Sequence, residues 1–235
     1  MNDETKVTVS AQPIISAFIT NLGKYNEGEL VGKWHEFPTT KEAIMQTFKE
    51  IGIDGRRYEE FFITDYECEI EGVYDKLGEY SSIDEINYLA SKLDDMTNRE
   101  IEIYEAAIET GDYCGSVKDL INLTESLDCF DYMEGVEDDY DIGYYWVEES
   151  GCYDTKNMGN LTNYIDYERF GRDIRLEECG TFAARGYIRN NGDTFNDDYD
   201  GMTVPDEYKV FAIPKPEPPV QAAAKPKPRS DRDAR

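Results

Sequence analysis

Between Tyr58 and Thr155, a stretch of 98 residues, the chain carries 29 Asp and Glu against only Lys76, Lys92, Arg99 and Lys118, a net charge of −25. The whole chain of 235 residues carries −27. One-signed charge repels itself and works against a compact state, so ordinary surfaces mix the two signs. A fold that tolerates this block has to spread its carboxylates over a surface, and it gains a strong field by doing so. B-form DNA carries about one negative charge per ~1.7 Å of axis, so 25 charges correspond to roughly 40 Å of duplex. The block therefore reads as a surface that imitates DNA.

Excess acid also marks salt-adapted proteins, disordered acidic tails and calcium buffers. Disorder conflicts with the many Tyr, Phe, Ile, Leu and Trp inside the block. Salt adaptation predicts acid throughout, whereas residues 1–57 hold 8 acids and 7 bases, and residues 156–213 hold 11 and 7. At 40% hydrophobic and 13% aromatic residues, the chain can form real cores. No apolar run approaches the ~18 residues of a membrane span, and the N-terminus, with Asp3, Glu4 and Lys6, lacks the basic-then-apolar pattern of a secretion signal. A cytoplasmic location is expected. The five cysteines are odd in number, widely spaced and without a C-x-x-C pair, which predicts reduced thiols and no zinc site.

Residues 14–21 and 29–37 are rich in β-branched and aromatic side chains and flank LGKYNEG. They predict two antiparallel strands joined by a hairpin loop. Thr39 or Thr40 can cap a helix over about 41–51, stopped by Gly52 and Gly55, with a third strand at Phe61–Ile63. Ser82 stands three residues before Glu85, and Thr97 three before Glu100, two capping boxes that each open a helical pattern. A third helix is expected from the Ser116 cap. In the second of these helices Glu102, Glu105 and Glu109 recur with no lysine among them, a spacing at which like charges destabilise a helix by ~0.2–0.5 kcal/mol per pair. Further on, a helix is expected near 164–178 and one strand over 181–189, ending at the Asn190-Asn191-Gly192 turn. Six of the nine prolines fall in the last 22 residues, which predicts a flexible, weakly basic tail.

Catalytic signatures are sparse. The single histidine, His35, lies in a predicted strand between Trp34 and Glu36, where a structural role is expected. No G-x-S-x-G, Walker A or G-x-G-x-x-G pattern occurs. The run from Asn196 to Gly201, with Glu207 at the twelfth position, resembles a calcium loop, but Asn at its first position and Pro205 inside it argue against binding. Neither a metal nor a cofactor is expected.

The run Phe18-Ile-Thr-Asn-Leu-Gly-Lys-Tyr-Asn-Glu-Gly-Glu-Leu-Val-Gly-Lys-Trp34 closely resembles the opening of ArdA-type antirestriction proteins. Asp141-Ile-Gly-Tyr-Tyr-Trp-Val-Glu-Glu149, then Asn163 to Ile174 and Gly180-Thr-Phe182, look like later signatures of that family in the same order. The resemblance implies a non-catalytic homodimer, shaped as a curved rod, that mimics bent B-form DNA and occupies the DNA-binding groove of type I restriction-modification enzymes. It implies an α+β chain of small domains: an α/β unit over 13–72, an acidic helical bundle over 73–127, and an α/β unit over 128–213 that makes the dimer contact. Flexible ends are expected at 1–12 and 214–235. Chosen for charge density, the candidate mimic surface is Asp65, Glu67, Glu69, Glu71, Glu102, Glu105, Glu109, Glu137, Asp138, Asp139 and Asp141. Tyr144, Tyr145 and Trp146 are the candidate dimer contact, because aromatic residues are enriched at interface cores. Binding of nucleic acid itself, or of membrane, is not expected. The alternatives are an acidic chaperone for other basic DNA-binding proteins and a hydrolase using metal held by carboxylates.

Overall fold

The computed structural model describes residues 13–214, so the expected N-terminal flexible stretch and nearly all of the Pro-rich tail lie outside the described residues. The chain is mixed α and β, with two small antiparallel sheets. Strands β1 (Ile15–Asn21), β2 (Gly32–Phe37) and β3 (Phe61–Cys68) form the first sheet in the order β2-β1-β3. The central β1 is buried at every position but Phe18, while the edge strand β2 sends His35 and Phe37 inward and leaves Trp34 and Glu36 in solvent. The loop expected between β1 and β2 contains a helical turn, α1 (Leu22–Asn26). It forms because the Asn21 carboxamide oxygen accepts from the Lys24 N–H while its nitrogen donates to Ile51 O, so one buried side chain caps α1 and ties it to the end of the next helix.

Helix α2 (Lys41–Glu50) is capped by Thr40 and buries Ile44, Thr47 and Phe48; the chain leaves it through Gly52 at φ +83°, a conformation that favours glycine. Helices α3 (Ile83–Asp94) and α4 (Asn98–Glu109) start at Ser82 and Thr97 as their spacing predicts. Only Thr97 has the reciprocal bond from its Glu. Helix α5 (Val117–Leu123) follows the Ser116 cap, and the buried Tyr104 of α4 donates its hydroxyl to Leu120 O to hold the two helices together.

The second sheet comprises β4 (Phe130–Glu134), β5 (Thr181–Ala183) and β6 (Gly186–Asn190) in the order β4-β6-β5. The single strand expected over 181–189 is thus a hairpin that turns at Ala184 and Arg185. Gly186 lets β6 lie close against β4, because a Cβ there would lie 2.4 Å from Met133 O. Between β4 and β5 lie α6 (Asp139–Tyr144), which the sequence reading did not anticipate and which runs into a π-turn over Tyr145–Glu149, and α7 (Tyr167–Glu178). The helix expected from 164 starts later because Asp166 caps it by accepting from Arg169 N–H.

After β6 the chain does not stay with the second sheet. Residues 193–214 run back as an irregular strap over α5 and α3 to the first sheet. Phe195 stacks on Tyr113, Tyr208 on Tyr88, and Phe211 packs edge-on to Phe48. With no ladder of its own, the strap has its backbone satisfied by side chains: Asn122 both donates to Tyr199 O and accepts from Tyr199 N–H, Asn87 donates to Tyr208 O, and Asp84 accepts from Val210 and Phe211. Most buried apolar residues form one contiguous cluster from Ile15 through the three central helices to Ile188 and Val210; Ile142, Val147 and Tyr187 are buried outside it.

Candidate acidic interaction surface

The eleven acids singled out in the sequence fall into three groups in the fold. On the edge strand β3, Tyr66 turns inward while Asp65 and Glu67 on either side are exposed, and Glu69 just beyond continues the row. The Tyr66 hydroxyl donates to Gly78 O, and burial pushes the phenol up to about 12.

The second group corrects the expectation of a self-repelling stripe on α4. Glu102 pairs with Arg99 at 3.5 Å and with Arg185 at 3.3 Å. Glu105 accepts from the Glu71 N–H, and Glu109 from the Ala184 N–H. The stripe therefore faces a loop on one side and the β5–β6 turn on the other, and apart from Arg99 in the first turn of α4 its compensating donors come from outside the helix. Each arginine is about half exposed or more, so these pairs are worth roughly 0–1 kcal/mol apiece and orient the elements more than they stabilise them. Glu102 and Glu105 are half-buried, whereas Glu71 and Glu109 remain exposed.

The third group surrounds the start of α6. Asp138 caps the helix by accepting from Asp141 N–H, and Asp141 in turn accepts from Glu137 N–H. Negative charge is favoured at this end of a helix. Asp139 is different: Arg175 on α7 clamps it with two hydrogen bonds of 2.7 and 3.3 Å, so it joins two helices. Glu137 and Asp138 are exposed, Asp139 and Asp141 half-buried. Seven of the eleven acids are thus open to solvent. Sequence reasoning missed the exposed strap acids Asp193, Asp197, Asp198, Asp200, Asp206 and Glu207, which lie outside the dense block and become part of the same body only because the strap folds back.

The aromatic trio is divided. Tyr144 is exposed and packs near Tyr140 and Tyr167, whereas Tyr145 and Trp146 are half-buried, with Arg189 over the indole ring. The indole N–H has no hydrogen-bond partner among the described residues. The most exposed apolar side chains of this region are Leu161, Tyr164 and Leu176.

His35 is buried between two threonine hydroxyls, Thr47 on Nδ1 and Thr39 on Nε2, each at 2.8 Å. Burial, with the nearby Lys33 charge, lowers its pKa to about 4, so it is neutral at pH 7. In the loop that resembled a calcium site, Asp197 is held by Lys118 and Asn122, and Asp200 accepts from Met202 and Thr203 backbone N–H groups. No cluster of three or more His, Cys, Asp or Glu suited to a metal ion occurs among the described residues, and their cysteines are all unpaired thiols. None of the helices among the described residues is long and apolar enough to cross a membrane.

The family model described as antirestriction protein (ArdA) matches residues 17–189, from the third residue of β1 in the first sheet to the last strand of the second. The search of curated proteins finds no match to the chain. The matched span takes in helices α1 to α7 and all but the outermost residues of both sheets, and the chain belongs to the ArdA antirestriction protein family.

Proposed function

We propose that this antirestriction protein acts as a non-catalytic mimic of B-form DNA and occupies the DNA-binding groove of type I restriction-modification enzymes. The observation that carries the reading is the row Asp65, Glu67 and Glu69, exposed on alternate positions of an edge strand and its continuation. Alternate residues of a strand advance by about 6.6 Å. One DNA strand carries a phosphate per ~3.4 Å of axis, so such a row matches every second phosphate in rise. Together with Glu71, Glu109, Glu137 and Asp138 these carboxylates meet the Lys and Arg of a DNA channel. Attraction steers encounter and sets much of the affinity. A mimic offers no base edges, so it inhibits enzymes of many sequence specificities.

The family's homodimer is part of the same proposal. The third unit supplies the contact, because it exposes Leu161, Tyr164 and Leu176 as well as Tyr144, and two subunits of −27 each need an apolar or locally paired junction. The testing experiment is displacement of a labelled duplex from a type I methyltransferase core in the absence of divalent metal. Stoichiometric displacement is expected. Failure to displace DNA, with binding instead to DNA-compacting basic proteins, would favour the acidic chaperone.

A further inference from the structure

Charge mimicry alone calls for carboxylates on an open face. This protein also has a hollow of about 560 Å³ where the end of the first sheet meets the α3–α4 corner and the β5–β6 turn. Its floor is apolar, formed by Ile14, Phe37, Pro38, Ile70 and Ile101. Its rim carries Glu36 from β2, Glu69 from just beyond β3, Asp94 from α3, and Glu102 and Glu105 from α4. The carboxylates of Glu36 and Asp94 make no hydrogen bond or ion pair with any other described residue.

One cation already reaches in. Arg185, from the β5–β6 turn, lines the hollow and pairs with Glu102 at 3.3 Å, yet its side chain is 62% exposed and the hollow stays open beside it. The molecule thus shows which chemistry the rim accepts. A guanidinium is planar, weakly hydrated and always charged, so it can lie against an apolar floor while its N–H fork reaches the carboxylates above. A lysine ammonium is compact and strongly hydrated, and gains less from such a floor.

We propose that this hollow is a docking site for an arginine side chain of the partner protein, seated beside Arg185 and held by Glu36 and Asp94. Identifying the partner as a restriction-modification enzyme rests on the function proposed above; the chemistry of the hollow does not. The hollow adds to the mimic surface a contact that rewards a protein side chain and that a duplex lacks.

Fluorescein-labelled hexa-arginine and hexa-lysine peptides, titrated against the full chain at moderate salt, test it. Wild type should bind the arginine peptide about fivefold more tightly than the lysine peptide. The pair Glu36→Gln/Asp94→Asn should abolish that preference, while the charge-matched pair Glu79→Gln/Asp112→Asn, exposed and outside the hollow, should keep it. Arg185→Ala should tighten arginine-peptide binding more than Arg57→Ala, which makes the same change in net charge away from the hollow. Equal binding of the two peptides by wild type, or equal effects within either matched set, would overturn the proposal. Running the duplex-displacement assay on the same proteins separates the two ideas. Displacement without arginine preference overturns the docking site alone, and preference without displacement overturns the mimic.

Discussion

Helices α6 and α7 cross with their backbones in contact, and two glycines make this possible. A Cβ built on Gly143 would lie 1.9 Å from Tyr167 O, and one on Gly171 would lie 1.8 Å from Asp139 O. Ordinary contact begins at 3.4 Å, so Gly143→Ala has to part the helices by roughly 1.5 Å. A gap of even 0.5–1 Å forfeits about a quarter to a half of each dispersion contact, so the loss extends along the whole crossing. Overpacking that shifts backbone costs about 1–3 kcal/mol, and here the obstacle is a carbonyl that no rotamer change can move aside. Against this, Ala gains about 1 kcal/mol over Gly in a helix interior. The net expectation is a destabilisation of about 2 kcal/mol, taking the upper part of the overpacking range. With a urea m-value of about 2 kcal/mol/M, the midpoint should fall by about 1 M. Gly171→Ala should behave alike, and the double variant should cost less than the sum, because helices parted once need little further movement. A midpoint that stays or rises in Gly143→Ala would refute the close-crossing argument.

Four other outcomes are expected. Neutralising one exposed acid, such as Glu67→Gln, should hardly weaken inhibition, whereas replacing a dozen across the block should weaken it greatly and flatten its salt dependence; loss of inhibition from a single folded variant would point to one specific site. His35 is held neutral with its pKa lowered to about 4, below the ordinary 6.5, so the unfolded chain binds the extra proton; its stabilisation is complete above pH 6.5 and is lost as pH falls toward 4. About 2 kcal/mol should vanish between pH 7 and pH 5 in urea titrations, and the difference in pH slope between wild type and His35→Gln isolates this from carboxylate titration; equal slopes would refute it. Asn122→Leu leaves both polar groups of Tyr199 without their partner and should cost about 1–3 kcal/mol per buried group, read as a lower thermal midpoint and faster hydrogen exchange along the strap. Sedimentation should show a dimer that Leu161→Asp/Tyr164→Ser dissociates and Tyr145→Ala affects less, since Tyr145 is half-buried in its own subunit; a wild-type monomer that inhibits fully would remove the dimer from the mechanism.

The sequence by itself determined what a few adjacent residues can encode. Thr40, Ser82, Thr97 and Ser116 each accept from a backbone N–H three residues on, so four helix starts were legible from single side chains and their spacing. Charge density marked the acidic block, and the strings at 18–34, 141–149 and 163–174 marked the family. Tertiary structure decided what depends on partners distant in the chain. Of the donors to the α4 stripe only Arg99 is a near neighbour in the chain; Arg185, which also meets Glu102, lies 83 residues away, and the N–H groups that reach Glu105 and Glu109 come from Glu71 and Ala184. The strings around Gly143 and Gly171 gave no sign that those glycines face each other across a helix crossing. The strap carries no periodic pattern, since its order comes from Asp84, Asn87 and Asn122 and not from a ladder of its own. Local capping is a property of the segment that contains it, whereas pairing across the chain exists only once long-range closure has brought the partners together, and no window of sequence contains both.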